Sequence, residues 1–214
     1  KPMADGHSLC LTSGGAGEGK SLTACNLAYT YAQAGQRTLL VDADLRRPTQ
    51  HKMFKTSNAV GLADYLLGRK PAGELVMKTA VENLDFIPSG KLPSSAHGVM
   101  TVDKVREFLA QVRPGYDMVI FDAPPIMGVS DASILASEVD GVLLVIQHRS
   151  YPKAVSGRAR TMIDNVGGTL IGVVLNNINV HRDYYYYYHS SYYYYGNDAG
   201  RRGRDAESGG DRKV

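Results

Sequence analysis

Residues 8–21 read SLCLTSGGAGEGKS, and this stretch decides the fold. Ser8–Thr12 is a short apolar run that meets Gly14-Gly15, so it reads as a buried strand feeding a turn. Beyond the turn, Ser21–Ala34 carries Leu22, Cys25, Ala28, Tyr29 and Ala32 at helical spacing, and Gly35 supplies a stop. Gly14–Ser21 between them fits the spacing GxxxxGK followed by Ser. Glycines let backbone N–H groups curl around a phosphate, and the positive end of the following helix faces the same point. Lys20 is expected to reach the β- and γ-phosphates and the Ser21 hydroxyl to ligate Mg²⁺. The residues expected to bind nucleotide are therefore Gly15, Ala16, Gly17, Glu18, Gly19, Lys20, Ser21 and Leu22, with ATP and Mg²⁺ as the ligands.

Outward from this loop, strand and helix patterns alternate. Arg37–Asp42, Leu84–Pro88, Met118–Asp122, Gly141–Gln147 and Thr169–Asn176 are short, β-branched and continuously apolar, as strands covered on both faces are. Helical patterns occupy Gly61–Leu67, Met100–Val112, Asp131–Ser137 and Pro152–Val166. The alternation predicts an α/β fold with a doubly wound, mostly parallel sheet between helical layers, of the P-loop NTPase kind. Ligands of such sheets lie beyond the carboxyl ends of the strands.

Two of those ends are acidic. Arg37–Asp42 runs into Ala43-Asp44-Leu45-Arg46-Arg47-Pro48, and Met118–Asp122 runs into Ala123-Pro124-Pro125. Carboxylates so placed can hold Mg²⁺ through water or take a proton from an incoming hydroxyl. Asp42, Asp44, Lys20, Arg46 and Arg47 are the expected catalytic group, the two arginines offsetting charge on a transferred phosphoryl group. Ser21, Asp44 and Asp122 are the expected metal set. Capping of the next helical turn is the plainer role open to Asp42 or Asp44. Asn176, at the end of a strand, is expected beside the nucleotide base, though Asn also suits a turn.

Composition narrows the rest. The 214 residues are 43% hydrophobic, enough for a core of ordinary size. A net charge of +3, from 24 basic and 21 acidic residues, is too balanced for a protein that holds nucleic acid by bulk charge. Cys10 and Cys25 lie in patterned apolar segments and read as reduced thiols. No apolar run is long enough to span a bilayer, and no secretory signal pattern is present. Of 14 Tyr, nine fall within 184–195: Tyr184, Tyr185, Tyr186, Tyr187, Tyr188, Tyr192, Tyr193, Tyr194 and Tyr195. The core is therefore expected to be aliphatic. Residues 1–180 are expected to form the P-loop domain and 181–214 a disordered, tyrosine-rich tail.

In combination, GEGKS (Gly17–Ser21), VDADLRRP (Val41–Pro48), IFDAPP (Ile120–Pro125), GLADYLLG (Gly61–Gly68), SDA (Ser130–Ala132) and the terminal tyrosines resemble the bacterial tyrosine kinases of capsule and exopolysaccharide synthesis. The resemblance implies a protein-tyrosine kinase that phosphorylates its own tyrosine cluster and regulates polysaccharide polymerisation and export. It implies that Asp42 activates the tyrosine hydroxyl, that Asp44 and Asp122 belong to the metal shell, and that the nine tyrosines are the acceptors. It also implies partners: further copies of the chain in a ring that phosphorylate one another, a membrane adaptor or fused membrane module, and a tyrosine phosphatase. The implied location is the cytoplasmic face of the inner membrane. Two features of the family differ. Leu92-Pro93-Ser94-Ser95-Ala96-His97 stands where a proline–asparagine–proline segment is usual, and the assembly helix that usually precedes the first strand is not in this sequence.

The nearest rival is a partition or cell-division positioning ATPase of the same P-loop class. Those proteins place a signature Lys one residue before the first loop glycine, where this chain has Ser13. A third reading makes the tyrosine tract a stacking platform for single strands or sugars, which gives the ATP machinery no outlet.

Overall fold

The computed structural model describes residues 6–93, 96 and 98–179. The chain divides after Asn176 into two units, and the first of them, Lys1–Asn176, carries the sheet and its helices. The expected tail and all nine clustered tyrosines lie outside the described residues.

The strands are β1 (His7–Ser13), β2 (Thr38–Asp42), β3 (Met77–Lys78), β4 (Leu84–Ile87), β5 (Met118–Asp122), β6 (Gly141–Gln147) and β7 (Leu170–Asn176). They form one sheet in the order β3-β4-β2-β5-β1-β6-β7, parallel throughout except for β3 against β4. The helices are α1 (Lys20–Gln33), α2 (Gln50–Met53), α3 (Leu62–Leu66), α4 (Val102–Val112), α5 (Ser130–Glu138) and α6 (Lys153–Asn165). This is the doubly wound α/β fold expected from the alternation. Every residue of β2, β4 and β5 is buried. Alternation then splits each strand between two cores: Leu39 and Val41 of β2 join Phe108, Leu135 and Ile163, while Leu40 joins Ala24 and Ala28 of α1. α1 can lie close to the sheet because the buried positions of its second, third and fourth turns, 24, 28 and 32, are all alanine.

Some expectations change. The two-residue β3 and the single-turn α2 are absent from the sequence reading, because neither is long enough to show a period. Among the described residues, β7 is not covered on both faces. Ile171, Val173 and Leu175 are exposed, because β7 is the sheet's edge and α6 buries only Ala159 and Ile163. Nor is the core purely aliphatic: Phe86, Phe108 and Phe121 are fully buried, and Phe108 meets Phe121 edge-on at 6.0 Å between ring centres. Cys10 and Cys25 are free thiols, and burial, the larger cause, together with Asp122 pushes Cys10 up to about 12. Among the described residues no helix is long and apolar enough to cross a membrane.

Candidate functional site

The loop between β1 and α1 owes its shape to two left-handed glycines, Gly17 (φ 78°) and Gly19 (φ 87°). A loop that aims N–H groups inward must turn its carbonyls outward, where each needs a donor. The donors are present. Ser13 Oγ donates to Gly15 O (2.6 Å), Tyr151 Oη to Ala16 O (3.0 Å), Asn176 Nδ2 to Glu18 O (3.0 Å), and Thr23 N and Oγ1 to Gly19 O (3.0 and 2.9 Å). Beneath the loop the Glu18 side chain is buried and acts as a strap. Its Oε1 accepts from Gly15 N (2.6 Å) and its Oε2 from Gln147 N (3.0 Å), tying the loop to the end of β6. Glu18 and Asn176 therefore brace the loop from within. Leu22, by contrast, is 54% exposed on the first turn of α1.

Gly19 has no room for a side chain. A Cβ there would collide with Asn176 Nδ2, and its φ suits glycine. A Gly19→Ala protein is expected to weaken ADP binding by at least roughly 100-fold, since both strain and clash fall on the cradle. Adding Asn176→Ala should restore only part of that affinity, because the clash is relieved and the φ is not. Calorimetric titration with ADP compares the two.

The acidic strand ends meet this loop. Parallel pairing of β2 with β5 sets Asp42 opposite Asp122, so both carboxylates end their strands at the same level. Lys20, the first residue of α1, reaches between the acids. Its Nζ lies 3.1 Å from Asp44 Oδ2, 3.4 Å from Asp122 Oδ1 and 3.4 Å from Ser21 Oγ. Burial alone would lower the Lys20 ammonium, but the Asp122 and Asp44 carboxylates outweigh it and hold it above its ordinary value. Burial raises Asp122 above the usual carboxylate range, against the opposing pull of Lys20.

Asp42 is fully buried. Its Oδ1 accepts from Asp44 N (3.3 Å), and its Oδ2 accepts from Thr49 N (3.2 Å) and Gln50 N (3.1 Å) at the start of α2. It therefore does cap the following turn, the plainer of the roles open to it. Burial first, and then the neighbouring Asp122 charge, push it up to about 7, against the lowering pull of those backbone N–H groups. A carboxylate balanced there can take a proton near neutral pH. Arg46 and Arg47 are exposed beside the site. Arg47 meets it through its backbone N–H, which donates to Asp44 Oδ1 (3.0 Å).

The donor set suits Mg²⁺. Ser21, Asp44 and Asp122 supply hard oxygen atoms, and no cluster of three or more His, Cys, Asp or Glu side chains forms a metal cage among the described residues. Mg²⁺ seldom uses such cages; it keeps waters and shares one or two carboxylates with substrate phosphates. Sequence reasoning missed Gln50, which is buried at the centre of this network, and Tyr151, which packs on Gly15 and Ala16. Thr49 after Pro48 was a usable sign of a helix start, but nothing in the sequence pointed to Tyr151.

Known proteins resemble this chain over most of its length. The AAA domain family matches residues 8–169. The chain is 38% identical over 179 residues to "Tyrosine-protein kinase YwqD" of Bacillus subtilis, covering 83% of this chain and 76% of the relative. It is 31% identical over 176 residues to "Tyrosine-protein kinase wzc" of Salmonella typhi, covering 82% of this chain but only 24% of that longer protein. Among solved structures, the kinase domain of Escherichia coli tyrosine kinase ETK superposes with a TM-score of 0.77 at 30% identity, over 80% of this chain and 68% of that one.

Proposed function

The chain belongs to the bacterial tyrosine-protein kinases, and from that premise we propose that it passes the γ-phosphoryl group of Mg²⁺–ATP to its own tyrosines at 184–188 and 192–195. The observation that carries this reading is the grouping of Lys20, Asp44 and Asp122 at the P-loop, with Asp42 paired to Asp122 on the next strand. The loop's N–H groups bind the phosphates, and the Glu18 and Asn176 braces keep it preshaped. Lys20 leaves its carboxylate partners for the phosphates and follows charge onto the transferred group. Asp42 accepts the phenolic proton as the tyrosine oxygen bonds to phosphorus and the bond to the ADP oxygen breaks. Ser21, Asp44 and Asp122 would hold Mg²⁺, whose charge would offset that of the phosphates. Arg46 and Arg47, at the rim, add positive charge where the acceptor enters.

Each phosphotyrosine carries about −1.5 to −2 charges, so nine would add roughly −14 to −18 to the tail. Repulsion on that scale gives a means of releasing a captured tail. The inferred partners are second copies of this chain, a membrane adaptor or fused membrane module of polysaccharide export, and a tyrosine phosphatase that resets the tail. The inferred place of action is the cytoplasmic face of the inner membrane, with polysaccharide polymerisation and export as the regulated process. The positioning-ATPase alternative has less support, since relatives over most of the chain are named tyrosine kinases.

The test is a chain in which all nine clustered tyrosines are Phe. It is expected to take up no phosphate from labelled ATP while still binding ADP as the parent does. Undiminished labelling would place the acceptors elsewhere. Stimulation of ATP turnover by DNA or lipid, without tyrosine labelling, would favour the alternative.

A further inference from the structure

Gln50 is fully buried, and no step above uses its side chain. Its amide nitrogen donates to Ser21 O (2.8 Å) in the first turn of α1 and to Asp122 Oδ2 (2.9 Å) at the end of β5. Its backbone N–H donates to Asp42 Oδ2 (3.1 Å) at the end of β2. One residue thus touches the P-loop helix and both acidic strand ends. The orientation of the amide is fixed, because a carbonyl oxygen facing Ser21 O and Asp122 Oδ2 would set acceptor against acceptor. The remaining amide oxygen is buried without a partner, so packing of its own oxygen is not what holds this side chain here.

Asp122 has its two oxygens divided. Oδ1 faces Lys20 Nζ at 3.4 Å, and Oδ2 is held by Gln50. If phosphate drew Lys20 away, its hold on Oδ1 would be lost, while the Ser21 hydroxyl and Gln50, which holds Oδ2, would keep the carboxylate tied to α1. We propose that Gln50 is a positioning residue that orients Asp122 toward Mg²⁺ and keeps it in register with the P-loop helix. This rests on the reading of the site as a Mg²⁺–nucleotide site. A partner that orients a ligating carboxylate typically affects metal affinity by roughly 10–100-fold.

The test compares Gln50→Met, which keeps length and removes the donor, with Gln50→His, whose ring N–H replaces it near the same point. For each chain, calorimetry gives ADP affinity with chelator and the Mg²⁺ concentration at half-maximal tightening, and thermal unfolding reports the fold. Gln50→Met is expected to raise the Mg²⁺ midpoint at least about tenfold and to change chelated ADP affinity less than about twofold. Gln50→His is expected to fall between that variant and the parent. An unchanged Mg²⁺ midpoint in either folded variant overturns the proposal, as does equal loss of ADP affinity with and without Mg²⁺. If Gln50→Met does not fold, Gln50→His alone decides on the same two readings. A parent chain whose ADP affinity ignores Mg²⁺ would instead remove the site reading beneath it.

Discussion

A Lys20→Met protein is expected to lose tyrosine phosphorylation by at least roughly 10²–10³-fold, the usual scale for one preorganised charge at a transition state. A second, separable effect follows from the buried ion network. Lys20 is the cation that the structure places between Asp44 and Asp122, whose side chains are 7% and 0% exposed. Removing it leaves two buried carboxylates without their counter-charge, a change that typically costs about 3–5 kcal/mol. The nucleotide-free variant should therefore unfold at lower temperature than the parent. Added Mg²⁺ should recover part of that stability, since it supplies positive charge to the same acids, and none of the phosphorylation. Calorimetric unfolding with and without Mg²⁺, beside a phosphotyrosine assay, separates the two effects. A variant with parental stability would contradict the ion network, and one with parental activity would contradict the role of Lys20.

Asp42→Asn is expected to act in opposite directions on activity and stability. Loss of the proton acceptor should slow transfer by roughly 10²–10⁴-fold. The parent should show transfer rising with pH as the Asp42 carboxyl ionises, the bound cation lowering the midpoint below the value of about 7 that holds in the metal-free fold. For stability, Asp42 is raised in the fold from 3.8 to about 7. Between those values the folded chain keeps a proton that the unfolded chain has released. The parent, free of nucleotide and Mg²⁺, should therefore lose stability as pH rises through that window. The neutral amide of the Asp42→Asn variant carries no such cost, and its oxygen can still accept from Thr49 N and Gln50 N, while its NH₂ then faces Asp44 N–H, donor against donor, which offsets part of the gain. The variant should then be more stable than the parent at pH 8, by on the order of 2–4 kcal/mol, and should lose that advantage near pH 4. Denaturant midpoints at the two pH values measure the difference. A less stable variant at pH 8 would mean that Asp42 serves the fold as a cap and is not held there at a cost for chemistry.

Much of the architecture was legible because it is periodic. The parallel strands next to the P-loop are buried on both faces and so read as unbroken apolar runs, and α1 is announced by its glycines and closed by Gly35 (φ 81°). The motif residues Lys20, Ser21, Asp42, Asp44 and Asp122 were legible for another reason: loop and strand-end chemistry stands out against apolar runs. β7 misled because an edge strand and a central strand share one composition, and only a neighbour distinguishes them. Asp42 shows a different limit. Its spacing announced an acid at a strand end, but the proton affinity comes from burial and from Asp122, 80 positions away in sequence. Gln50 and Tyr151 were invisible for the same reason, since their partners Asp122 and Ala16 are brought to them only by the sheet.

The most direct measurement is to incubate the purified chain with labelled ATP and Mg²⁺ and to map every modified residue by peptide mass spectrometry. The expected result is phosphate on tyrosines between Tyr184 and Tyr195 in the parent and none there in Lys20→Met. Phosphate confined to other residues, or equal labelling of that segment in Lys20→Met, would contradict the assignment of this chain as the kinase of its own tail.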